Sequence, residues 1–117
     1  MTRIFKLLLA QRGLNENFLH PNYAELFDPL LMRDMKVAVG RIEQAKQRGE
    51  KIVIHGDYDV DGVTASTLLR EALVDFGCQK PEIILPDRFV DGYGMHTTVI
   101  PKIKKMGAKL VITVDCG

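Results

Sequence analysis

Cysteine is scarce in this chain: Cys78 and Cys116 are its only two, with no metal-type spacing between them. Such usage excludes a disulfide scaffold and fits a reducing compartment. No charge of one sign dominates either. Sixteen Lys and Arg against 15 Asp and Glu leave a formal net charge of +1, so no global field draws nucleic acid or a membrane surface. A nucleic-acid enzyme stays open, because bound metals supply local positive charge. Long hydrophobic runs are also missing. The opening MTRIFKLLLAQRG has a basic flank but an apolar core of only Leu7 to Ala10, too short for a signal peptide or a membrane span. The expected location is cytoplasmic, with no membrane partner. There is no internal repeat, no low-complexity segment, no glycine-rich nucleotide loop and no Ser–His or Cys–His arrangement for covalent catalysis.

What is present is an ordinary globular composition, 46% hydrophobic and 26% charged over 117 residues, enough for one small domain with a modest core. Residues 3–12 predict a short helix stopped by Gly13, with Phe5, Leu8 and Leu9 on one face. Residues 14–31 are punctuated by Asn15, Asn17, Pro21, Asn22 and Pro29, with Leu19, Tyr23, Leu26, Phe27, Leu30 and Leu31 as scattered apolar anchors. The expectation there is an irregular leader. Asp34 is placed to cap a helix running to about Arg48, before Gly49.

Three apolar runs then alternate with two helical patterns. Strands are expected at 51–55, 82–85 and 109–114, and helices at 63–76 and from Thr97 or Thr98 to Met106. Strand, helix, strand, helix, strand predicts an α/β fold of three layers around a mainly parallel sheet. Ligands of such sheets bind beyond the carboxyl ends of the strands. Two of the three expected strands end in acidic residues there.

The first end carries the chemistry. IVIHGDYDVDGV puts Asp57, Asp59 and Asp61 at every second position, with His55 ahead of them and Gly62 behind. Crowded carboxylates repel each other by kcal/mol at short range, and cations relieve that repulsion. The third strand delivers Asp115, which joins the cluster if the two strands are neighbours. A calcium-binding helix–loop–helix fails as an explanation: Leu68 stands at the twelfth loop position, where a bidentate Glu is needed. A phosphate at the following helix start is compatible with the aspartates only if metals stand between them. His55 at the same strand end reads as a ligand, and a nitrogen among carboxylates favours Mn²⁺ over Mg²⁺. Asp57 either ligates or orients ligands. Cys116 reads as a small apolar residue with no nearby base.

In the loop PDRFVDGYGM, Arg88 is a candidate phosphate contact. Tyr93 either meets substrate or packs in a tight glycine loop. His96 and His20 carry weaker signals. Lys102, Lys104, Lys105 and Lys109 form either a solvated face or a nucleic-acid track.

Taken together, IHGDYDVDGVTAS, LPDRFVDGYGM and LVITVDCG resemble the DHH phosphoesterase superfamily, and with the leader FDPLLMRDM they look most like its RecJ-type exonuclease branch. The resemblance implies a DHH domain beginning at residue 50 behind a helical leader of residues 1–49. It implies two divalent cations, Mn²⁺ or Mg²⁺, held by His55, Asp59, Asp61 and a bridging Asp115, with Asp57 in the same catalytic motif. It further implies 5′–3′ hydrolysis of single-stranded DNA by two-metal chemistry, and possible partners among DNA repair and recombination proteins. The superfamily's Asp-His-His motif does not occur before Gly117. The expectation is therefore an incomplete domain from a longer enzyme, inactive alone and with an open sheet edge that favours self-association. Within the superfamily the alternatives are an oligoribonuclease, a pyrophosphatase, or a cyclic-dinucleotide or nucleotide phosphatase. Outside it, the alternative is a noncatalytic module that binds metal or a partner.

Overall fold

The computed structural model describes residues 2–116. They form two compact units, divided between Met35 and Lys36. The first holds helix α1 (Arg3–Gln11) and three short 3-10 turns (Glu16–Leu19, Tyr23–Glu25 and Pro29–Leu31). Thr2 caps α1, and Asn15, Asn22 and Asp28 each accept a backbone N–H at the head of one turn. The Asn and Asp residues that interrupt the sequence pattern are thus turn initiators. Tyr23 and Phe27, expected as anchors, are 92% and 89% exposed.

The second unit contains β1 (Ile52–His55), β2 (Glu82–Ile84), β3 (Leu110–Thr113), α2 (Met35–Gln47), α3 (Val60–Asp75) and α4 (Val99–Lys105). Ile42 and Ala45 of α2 pack in the sheet's core. The strands run parallel in the order β2-β1-β3. β1 is buried along its whole length, as its uninterrupted apolar run requires of a central parallel strand.

Its residues alternate between two cores. Ile52 and Ile54 pack with Leu73, Cys78 and Ala45 on one face. Val53 packs with Ile84 and Ile103 on the other. Helices therefore cover both faces, giving the expected three layers. Burying each of these aliphatic side chains stabilises the fold by roughly 1.5–3 kcal/mol. At the amino end of the sheet, Arg41 of α2 donates to Glu50 Oε2 at 2.6 Å and to the Lys109 carbonyl at 3.0 Å. One side chain thereby ties α2 to the entry of β1 and β3.

Three local expectations need correction. Asp34 does not extend into a cap: its φ is 58°, and its carboxylate lies 3.5 Å from Arg33 Nε. Thr98 precedes α4 but makes no side-chain cap bond. The third concerns the site itself. Helix α3 begins at Val60 instead of Val63, with Asp59 as its N-cap. Helical periodicity begins only with the residues that reach the core, and the capped first turn lies outside that stripe.

Candidate metal centre

Because α3 starts early, the aspartate motif is the junction of a strand and a helix. Asp59 Oδ1 accepts from Gly62 N at 2.9 Å, the usual way an N-cap satisfies an orphan helix donor. Asp61 lies in the first turn, where the dipole favours a carboxylate. Asp57 is 4% exposed and accepts from Tyr58 N at 2.7 Å. Two glycines let the helix come this close. A Cβ on Gly56 would collide with Ser66 Oγ of α3, and one on Gly62 would lie 2.6 Å from both the amide nitrogen and the carbonyl carbon of Asp57.

The second strand end arrives through one hydrogen bond. Val114 N donates to the His55 carbonyl at 3.0 Å, carrying the β1–β3 pairing one residue past the end of β3. Asp115 follows at once, with φ 58°, a left-handed conformation that Asp tolerates better than most residues. Its carboxyl is pushed above the ordinary carboxylate range by desolvation first. The charges of Asp59, Asp61 and Asp57 and a hydrogen bond with Asp59 push it further the same way. Carboxylates within electrostatic reach of one another favour a bound proton or a bound cation. Asp61 and Asp115 also line one open cleft of about 520 Å³, together with Thr64, Ala65 and Leu68. A larger cleft in the first unit, about 600 Å³, lies among Asn15, Asn17, Phe18 and Leu26 and has no comparable charge cluster.

His55 is the last residue of β1. It is 1% exposed, and burial lowers its pKa below the usual 6.5. Its own backbone hydrogen bond, Asp57 and Asp91 pull the other way, while His96 adds to the lowering. The neutral imidazole is the form that ligates a metal. Asp57 acts electrostatically on both groups, with His55 on one side and Asp115 on the other. Sequence reasoning missed the electrostatic influence of Asp91 and His96 on His55. Their only signal was their position in the loop after β2.

Cys116 needs a correction too, because a base does stand beside it. Its Sγ lies 3.7 Å from His55 Nδ1 and 3.4 Å from the His55 carbonyl. Burial, however, pushes the thiol up while it pushes the imidazole down. That is the opposite of a thiolate–imidazolium pair. Tyr93 is exposed, and Arg88 lies over Tyr58, its guanidinium carbon 4.6 Å from the ring centroid.

Among the described residues, no three His, Cys, Asp or Glu side chains converge closely enough to enclose an ion. The donor set nevertheless suits a divalent cation: the carboxylates of Asp57, Asp59, Asp61 and Asp115 lie within electrostatic reach of one another, and the His55 imidazole ends β1.

Residues 51–117 match the family described as "DHH family, N-terminal domain". The chain belongs to the DHH family. Within it, the chain is 40% identical over 122 residues to the single-stranded-DNA-specific exonuclease RecJ of Bacillus subtilis (strain 168), covering 100% of this chain and 15% of that protein. The RecJ of Dickeya dadantii (strain 3937) is 36% identical over 115 residues, covering 97% of this chain and 20% of the relative. The crystal structure of exonuclease RecJ bound to manganese superposes with a TM-score of 0.69 at 32% identity, covering 79% of this chain and 23% of that one. RecJ from Thermus thermophilus in complex with Mn²⁺ gives 0.67 at 28% identity, over 95% and 15%. This DHH-family chain thus spans only 15% and 20% of the length of these two relatives. No helix among its described residues is long and apolar enough to cross a membrane.

Proposed function

We propose that this chain supplies the first part of a two-metal centre that hydrolyses phosphodiester bonds in single-stranded DNA with 5′–3′ polarity, in the cytoplasm and in the service of DNA repair and recombination. The observation that carries the reading is the arrival of Asp115 from the end of β3 in one cleft with Asp61 of the β1–α3 junction, with Asp59 and Asp57 in electrostatic range. Likeness to RecJ proteins crystallised with manganese supports Mn²⁺ as the ion. Bound divalent cations would activate water and neutralise the scissile phosphate. Asp59, Asp61, Asp115 and His55 hold the ions in this reading, and Asp57 orients the group. Arg88 and Tyr93 meet substrate from the loop after β2. Among repair and recombination proteins, any partner would act on the whole enzyme. The open edges of β2 and β3 favour self-association of this chain.

With no converged set of three donors among the described residues, the chain by itself is expected to bind Mn²⁺ weakly and to leave single-stranded DNA intact. Calorimetric titration of Mn²⁺ into the wild type and into Asp59→Ala/Asp61→Ala tests the reading. Heat in the wild type that vanishes in the variant supports it. Equal heat in both, or none in either, replaces it with a noncatalytic partner-binding module.

A further inference from the structure

Arg88 is a cation with an uncommon neighbourhood. No carboxylate lies within ion-pair distance of it among the described residues. The two nearest acids in sequence are engaged elsewhere: Asp87 accepts from Phe89 N at 2.8 Å, and Asp91 accepts from Asp87 N at 2.8 Å. Its partner is a ring. The guanidinium carbon stands over Tyr58, 4.6 Å from the centroid, and Tyr58 lies between Asp57 and Asp59 of the motif.

The chemistry of that contact differs from an ion pair in one respect that matters. A carboxylate partner would occupy the in-plane N–H donors of the guanidinium. A ring holds the cation by its face and leaves the planar fork of donors free for an anion. The contact also bridges two loops at the carboxyl end of the sheet, the β1–α3 junction and the loop after β2. A side chain carried by a loop with exposed neighbours (Phe89 is 93% exposed) is thereby referenced to the aspartate motif.

We propose that Tyr58 is a positioning residue: its ring holds the Arg88 guanidinium beside the aspartate motif, with the hydrogen-bonding edge presented to a phosphate of the nucleic-acid backbone. This rests on the proposed single-strand reading and assigns it a residue that makes no metal or substrate contact of its own. Tyr58→Leu, Tyr58→Phe, Arg88→Ala and the Leu/Ala double variant test it in two measurements. The first is the NMR shift of the Arg88 side-chain protons, which the ring current moves upfield in the wild type. Phe keeps that shift and Leu abolishes it. The second is fluorescence-anisotropy binding of a short labelled oligothymidylate with Mn²⁺ present. Tyr58→Leu is expected to weaken binding by about 2- to 5-fold, the size of an exposed cation–π contact. Arg88→Ala is expected to weaken it by about tenfold or more. In the Arg88→Ala background, Tyr58→Leu changes nothing further. If the Leu variant fails to fold, Tyr58→Met, which keeps the bulk, carries the same cycle. Additive losses overturn the proposal, because Tyr58 then meets nucleic acid independently of Arg88, and so does an Arg88 shift unaffected by removing the ring. Absence of any oligothymidylate binding by the wild type refutes the single-strand reading itself, and this inference falls with it.

Discussion

Gly62→Ala separates helix propensity from tertiary packing within this one small fold. In an exposed helix interior, replacing Gly by Ala stabilises by about 1 kcal/mol. Gly40 is such a position: it lies in α2, and nothing stands within 4 Å of a Cβ added there. Gly62 lies in the first turn of α3 with Asp57 against it. A Cβ there would sit 2.6 Å from the Asp57 nitrogen and carbonyl carbon, and closer still to the carbonyl oxygen. All three are backbone atoms, so no rotamer change relieves them. Restoring ordinary contact at 3.4 Å with the nearest of these atoms, the carbonyl oxygen, requires the junction to move by about 1 Å.

Overpacking of this kind costs about 3 kcal/mol at the upper end of its range. Offset by the propensity gain, that leaves a net loss of about 2 kcal/mol. At about 4–8 °C per kcal/mol for a domain of this size, Gly62→Ala should melt roughly 10 °C lower, and Gly40→Ala roughly 5 °C higher. The same displacement moves Asp57 and the Asp59 cap. Mn²⁺ affinity should therefore fall by about 10–100-fold in Gly62→Ala, as when groups orienting metal ligands are disturbed, and stay unchanged in Gly40→Ala. Thermal unfolding by circular dichroism and calorimetric Mn²⁺ titration give both numbers. A Gly62→Ala protein with wild-type melting and metal affinity would refute the claim that the close approach to Asp57 builds the site.

Asp115→Asn should raise the melting temperature of the metal-free chain at neutral pH only slightly, because Asp115 is exposed and solvent screens the charges around it, while weakening Mn²⁺ binding. The Asp115 carboxyl holds its proton more tightly folded than unfolded, so its ionisation destabilises the fold as pH rises from 3.8 through the folded pKa. Asn removes the charge and tolerates the same left-handed backbone; a melting temperature that falls instead would contradict this. His55 acts at the other end of the scale. Its pKa is lowered below 6.5 on folding, so below that value the unfolded chain takes up protons that the folded one refuses. Stability should then drop as pH falls from 6.5 toward the folded pKa. His55→Gln should flatten that part of a urea-unfolding pH series, and an unchanged slope would show that His55 does not titrate differently in the two states.

Much of this was legible in the sequence because it is local. Ile52, Val53 and Ile54 form a run that only a strand buried on both faces accepts, and the aspartate spacing announces crowded charge wherever it lies. The start of α3 was read three residues late, since a capped first turn contributes nothing to the apolar stripe. Strand order was beyond any local pattern: whether β3 pairs with β1 or with β2 depends on which faces α3 and α4 cover. That order, with the Val114 to His55 hydrogen bond, is what brings Asp115 within electrostatic reach of Asp59. Arg88 over Tyr58 and the electrostatic influence of Asp91 and His96 on His55 likewise join residues distant in the chain. The sequence by itself determined the elements and the acidic chemistry. The tertiary structure decided which charges meet, because the Coulomb and hydrogen-bond energies that define the site exist only between groups folding has brought within a few ångströms.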